Sequence, residues 1–309
     1  MRYVLLLLVV IAGVESAAQS KYTAPRTPWG DPDIQGAFTN SDESLIPFER
    51  PDALAGRTID SITPAELAKL TEQRNLDRIK ADEARWELRS PLHWFENHNP
   101  KNSRAWLVTD PPDGRVPPIT AEAKQRNSAL AAARKGRGEA DSYTDRSMYD
   151  RCISRGLPGS MMPAIYGSSY EFVQGPGYVA IGYEMVNEMR VIPLDNRPAV
   201  SPAMRAYMGY ARGRFDGTTL VVETTNFTDK LPYRGSSDRL KLTERFTRTS
   251  PTTMEWAVTV EDAATWPRPW TFAMTLTRGD PPFEYACHEG NYAMRYILGI
   301  ARAEEAGRK

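Results

Sequence analysis

The chain has 309 residues, with 39 basic and 39 acidic side chains that cancel to a formal charge of zero. That balance removes the basic excess that drives nucleic-acid binding or docking on an anionic membrane. An apolar fraction of 41% with 25% charged residues belongs to a globular chain, not a disordered one, and two cysteines exclude a disulfide-dense mini-protein or a Cys-rich metal centre.

Arg2 precedes an apolar run over residues 3–13, and Ser16-Ala17-Ala18 follows. Residues 1–18 therefore read as a signal peptide cleaved after about Ala18, sending the chain to the periplasm or beyond. The run is too short to span a bilayer, so no stable membrane span is expected after cleavage. Export places Cys152 and Cys287 in an oxidising compartment, where an even pair is expected to bridge. The alternative is a reactive Cys287 thiol beside His288.

Residues 19–60 read as an extended, turn-rich lead-in whose Trp29 and Phe38 are expected to pack onto something larger. Thr63-Pro64-Ala65-Glu66 is a helix start, with Thr at the N-cap, Pro in the first turn and Glu three residues on. The apolar residues that follow (Leu67, Leu70, Leu76, Ile79, Trp86) miss a single stripe, so a solvated outer helix reaching about Leu88 is expected. Residues 106–109 read as a short strand before the tight turn Asp110-Pro111-Pro112-Asp113-Gly114. Thr120 opens a second helix that ends near Gly136, and residues 136–146 form a polar surface loop.

From Tyr170 the pattern changes to period two. Strands are expected at 170–174, 178–184, 189–193, 212–215, 218–225, 239–248, 253–261 and 270–278, with Asp216-Gly217 marking a hairpin. Leu240, Leu242 and Phe246 share one face; Met254, Trp256, Val258 and Val260 share another; Phe272, Met274 and Leu276 share a third. Each strand has one apolar and one polar side. A final helix is expected at 290–304. The reading is mainly β with flanking helices (α+β). It is an antiparallel up-and-down β-barrel of lipocalin (calycin) type, or a sandwich, over residues 151–309. Residues 19–150 would wrap this core, and a C-terminal helix would follow it.

Several segments resemble a family of exported bacterial proteins of unknown function. They are Cys152-Ile153-Ser154-Arg155-Gly156, Val222-Glu223-Thr224-Thr225-Asn226-Phe227-Thr228-Asp229 and Tyr285-Ala286-Cys287-His288-Glu289-Gly290-Asn291-Tyr292, with shorter matches around Trp29, Asp113, Arg212 and Trp266. The resemblance implies export and a shared architecture, and carries no catalytic residues across.

Chemistry is expected in two places. His288, Glu289 and Tyr292 crowd a strand-to-helix junction, and a Cys152–Cys287 bridge would draw Arg155 to them for proton transfer with an oxyanion partner. The structural alternative is a disulfide that ties down the last helix. Glu244 falls on the apolar face of its strand, where it must pair with an inward Arg or carry a raised pKa for work. Trp256, Trp270, Phe272 and Tyr183 supply aromatic area for a pocket, and Arg234 lies in a loop at a barrel mouth beside Asp229. His93, Glu96 and His98 have no spacing suited to a metal, and no phosphate loop or dinucleotide motif is present, so neither metal nor cofactor is expected. The expected function is binding of a small, partly apolar molecule. The alternative is a lyase, isomerase or hydrolase using His288, Glu289, Tyr292, Arg155 or Glu244.

Overall fold

Ten strands share one sheet in the computed structural model, which describes residues 22–83, 99–164, 166–195 and 197–307. The expected signal peptide, the helix end toward Leu88, and His93, Glu96 and His98 lie outside the described residues. The strands are β1 (Gly36–Thr39), β2 (Val108–Asp110), β3 (Ser169–Gly175), β4 (Tyr178–Tyr183), β5 (Glu188–Pro193), β6 (Tyr210–Asp216), β7 (Thr219–Thr225), β8 (Lys241–Arg248), β9 (Thr253–Glu261) and β10 (Trp270–Arg278). Their order is β5-β4-β3-β1-β10-β9-β8-β7-β6, with β2 on the edge of β10, and every hydrogen-bonded pair is antiparallel. The path bends into a nearly closed barrel, which decides between the two architectures left open by the alternation. The hairpin between β6 and β7 turns at Asp216-Gly217, where Gly217 takes φ +60° at no steric cost.

Period-two alternation fills the barrel. Leu242 and Phe246 on β8, Trp256 and Val258 on β9, and Phe272 and Met274 on β10 are all fully buried, together with Phe172 on β3 and Ile181 on β4. Fully burying each such side chain contributes about 1.5–3 kcal/mol.

The lead-in departs from expectation. It contributes β1, which pairs with β3 on one side and β10 on the other and so joins the two halves of the sheet. Phe38 on β1 is fully buried against Phe172. Trp29 does not pack inward: it is 38% exposed, and its indole N–H donates to Asp31. A four-residue strand carries too short an alternation to stand out among the surrounding turns. Residues before β1 cross one end of the barrel, where the Gln174 side chain donates to the Pro32 carbonyl and accepts from the Ile34 N–H.

Helix α1 (Pro64–Glu83) lies outside, with Leu67 and Leu70 against a satellite cluster of Leu54, Ala105 and Trp106. Helix α2 (Ala121–Ala133) begins at the expected Thr120, whose hydroxyl accepts from the Ala123 N–H. Helix α3 (Ala293–Gly307) buries no side chain.

Candidate functional site at the barrel seam

Strand parity sets the site. Nine strands make the wall, and each hydrogen-bonded neighbour reverses direction. An odd ring cannot close with every pair antiparallel. The register therefore leaves β5 and β6 side by side and parallel, with no backbone ladder between them. A parallel neighbour needs a long crossover, and the connection from β5 to β6 supplies it, with residues 197–205 exposed on the surface. Gly213 on β6 meets β5 closely: a Cβ there would sit 2.8 Å from Ile192 and 2.7 Å from Leu194.

Between the crossover and the wall lies a cleft of about 460 Å³, within the usual size range for small-molecule sites. Met189 and Val191 project into it from the outer face of β5, Tyr210 and Arg212 from β6, and Pro198 and Val200 from the crossover. Met189 and Val191 are 71% and 57% exposed, an unusual pair of bare apolar side chains on a strand. Arg197 also lines the cleft, but its Nε and one terminal nitrogen both donate to Asp195, at 2.7 Å each. Hydrogen bonds from the Arg197 side chain and backbone hold Asp195 down at about 2.

Behind the cleft, inside the barrel, Arg190 of β5 pairs with Glu244 of β8. The two bonds are 2.5 and 3.2 Å long, and the side chains are 4% and 0% exposed. The Trp256 indole N–H donates to the same carboxylate at 3.2 Å. Burial lowers and the Glu244 charge raises the Arg190 pKa, and the balance lies above the ordinary value. The Tyr183 hydroxyl, Arg190 Nε and the Thr224 hydroxyl are buried in this interior without a hydrogen-bond partner. Burial pushes the Tyr183 phenol above its usual range despite the lowering effect of Arg190. The ion pair ties β5, a strand with no ladder partner on its seam side, across the interior to β8.

The other expected residues fall elsewhere. Trp256, Trp270, Phe272 and Tyr183 are all buried, and they pack into the filled core: Trp256 lies edge-on to Phe272 at 5.6 Å, and Trp270 stacks under Tyr233 at 6.4 Å. Arg234 closes one barrel end, its guanidinium 4.3 Å above the Phe48 ring and 3.6 Å from Glu49. None of these five lines the cleft.

Cys152 and Cys287 form the expected disulfide. Arg155 does come near it, but over the ring of Tyr149 at 5.4 Å, while its backbone N–H donates to Glu188. Burial first, and then hydrogen bonding to Tyr285, raises the Tyr149 pKa. His288 and Glu289 are exposed, and Tyr292 is 56% exposed with its ring against Tyr296. Among the described residues no hydrogen bond or ion pair joins these three to Arg155, and the enclosed Glu244 shares no cavity with the exposed His288.

Sequence reasoning misses Arg190, Met189, Val191 and Arg212. Arg190 alternates with Ile192 on the inward face of β5, a signal present in the strand pattern once a facing carboxylate is suspected. The cleft itself has no local signal.

Among the described residues, no helix is long and apolar enough to cross a membrane, and no cluster of metal-ligating side chains occurs. No family model matches the chain, and no curated protein matches it. Among solved structures, a secretary abundant heat soluble (SAHS) protein from Ramazzottius varieornatus is similar at 12% identity, over 43% of this chain and 86% of its own, with a TM-score of 0.27. Nothing is transferred at that level of likeness.

Proposed function

We propose that this protein is an exported barrel that binds a small, partly apolar molecule in the seam cleft. It would belong to the family of exported bacterial proteins that its motifs resemble. The observation that carries the reading is the cleft itself: apolar side chains from β5, β6 and the crossover converge on one concave space where the wall lacks a ladder. The disulfide supports export, since such bonds persist in oxidising compartments. Exposed Met189 and Val191 give the ligand area to cover without unfolding anything.

The test is titration with N-phenyl-1-naphthylamine, a neutral apolar fluorophore, alongside native mass spectrometry of protein taken from the exported fraction. The expected result is saturable fluorescence enhancement that is lost in Ala199→Trp, which fills the cleft from an exposed position. Stability of that variant should stay within about 0.5 kcal/mol of wild type. No saturable binding, or equal binding by Ala199→Trp, overturns the reading.

A further inference from the structure

The walls of the cleft are apolar, but its charges are of one sign. Arg197 and Arg212 line it, together with the backbone side of Arg190, and no carboxylate does so among the described residues. The three cations differ in what they have left to offer. Arg190 is committed to Glu244 inside the barrel. Arg197 is committed to Asp195. Arg212 is exposed on the outer face of β6 and its side chain makes no ion pair or hydrogen bond among the described residues, although it lies within electrostatic reach of Asp195. Its cross-strand neighbour Glu223 on β7 is paired instead with Lys241.

We infer that the ligand of the seam cleft is a free anionic amphiphile: an apolar body with one carboxylate or similar acidic head, the head received by Arg212 and the body lying along Met189, Val191 and Val200. This rests on the binding reading above. A planar guanidinium offers two parallel donors that match a carboxylate, so the head is oriented as well as attracted. A cationic head would face Arg212 while the nearby Asp195 carboxylate is already engaged by Arg197, and a neutral head would leave Arg212 as it is. The enclosing crossover fits one detached molecule better than a lipid still held in a bilayer, because the cleft lies between the crossover and the wall and is not a flat surface.

The experiment compares three ligands with the same tail, each kept below its critical micelle concentration or, for the alcohol, its solubility limit: dodecanoate, dodecanol and dodecyltrimethylammonium. The expected order places dodecanoate tightest by about tenfold, since a hydrogen bond to a charged group is worth roughly 1.4 kcal/mol or more. Arg212→Gln should remove that advantage, Arg212→Lys should keep part of it, and both should leave dodecanol binding unchanged. Rising salt should weaken only dodecanoate. Cosedimentation with phosphatidylglycerol vesicles, measured in parallel, should be absent. Equal affinity for all three ligands, or an unchanged dodecanoate affinity in Arg212→Gln, overturns the inference while leaving the cleft reading intact. Vesicle binding without dodecanoate binding overturns it in favour of a membrane surface. Failure of all three ligands together with the neutral fluorophore removes the binding reading itself.

Discussion

Replacing Glu244 tests the central feature of the barrel interior. Its carboxylate is fully enclosed and takes two bonds from Arg190 and one from the Trp256 indole. In Glu244→Leu the Arg190 guanidinium stays buried with no countercharge, which costs about 3–5 kcal/mol. Arg190→Met leaves the carboxylate with only Trp256 and should cost about the same. If the two effects were independent, the double variant would lose about 6–10 kcal/mol. The structure predicts otherwise. Both charges vanish together, and the remaining deficit is the Trp256 N–H without its acceptor, about 1–3 kcal/mol. The coupling energy should therefore be at least about 3 kcal/mol. Urea unfolding with an unchanged slope supplies all four stabilities. Native-state hydrogen exchange adds a local reading: Arg190→Met should speed exchange along β5, the edge strand that the pair ties to β8, before it reaches β9 and β10. An additive double variant, or single losses under about 1 kcal/mol, would refute the tether.

Further outcomes concern the disulfide, acid titration and the seam glycine. Cys152 and Cys287 are 135 residues apart, which on the chain-entropy account sets an upper limit of about 5 kcal/mol on the bridge. Because α3 and the segment before it bury no side chain, reduction should first expose residues 279–307 to protease while far-ultraviolet dichroism of the sheet persists; simultaneous loss of both would contradict this. Burial raises the Glu43 pKa above 4.5, against hydrogen bonds from Ser103 and Thr275. The folded state then holds its proton longer than the unfolded state, so this group lowers stability as pH rises from about 4.5 through its folded value, and Glu43→Gln should flatten that part of the profile. Asp262 has the opposite sign. Burial raises its pKa, but hydrogen bonds from Thr265, Ser237 and Ala264 outweigh that and hold it below 3.8. Its contribution is present above that value and lost as pH falls through the lower folded one, and Asp262→Asn should remove this acid-side loss. Gly213→Val would drive a side chain against Ile192 and Leu194 and should destabilise by about 1–3 kcal/mol in the same urea assay.

Most of the barrel wall is legible in the residue pattern. Strict alternation in β8, β9 and β10 marks their inward faces, and Asp216-Gly217 marks its hairpin. Glu244 is conspicuous because a carboxylate stands in an apolar row, and its two possible fates follow from solvation cost alone. The pairing of Cys152 with Cys287 follows from an even count in a chain that reads as exported. These are local signals or whole-chain counts, and sequence carries both.

What the tertiary structure decided came from closure. The lead-in strand β1 is too short to announce itself, yet it makes the wall a ring of nine. Parity then forces one parallel pair, and a parallel pair forces the long crossover that roofs the cleft. The partner of Glu244 also depended on closure, because Arg190 and Glu244 stand 54 residues apart and meet only when β5 comes round to β6. Side chains that are unremarkable one by one, such as Met189, Val191 and Arg212, become a site because closure brings β6 alongside β5. Periodicity determines which way each residue faces, and the count of strands in the closed ring determines what it faces.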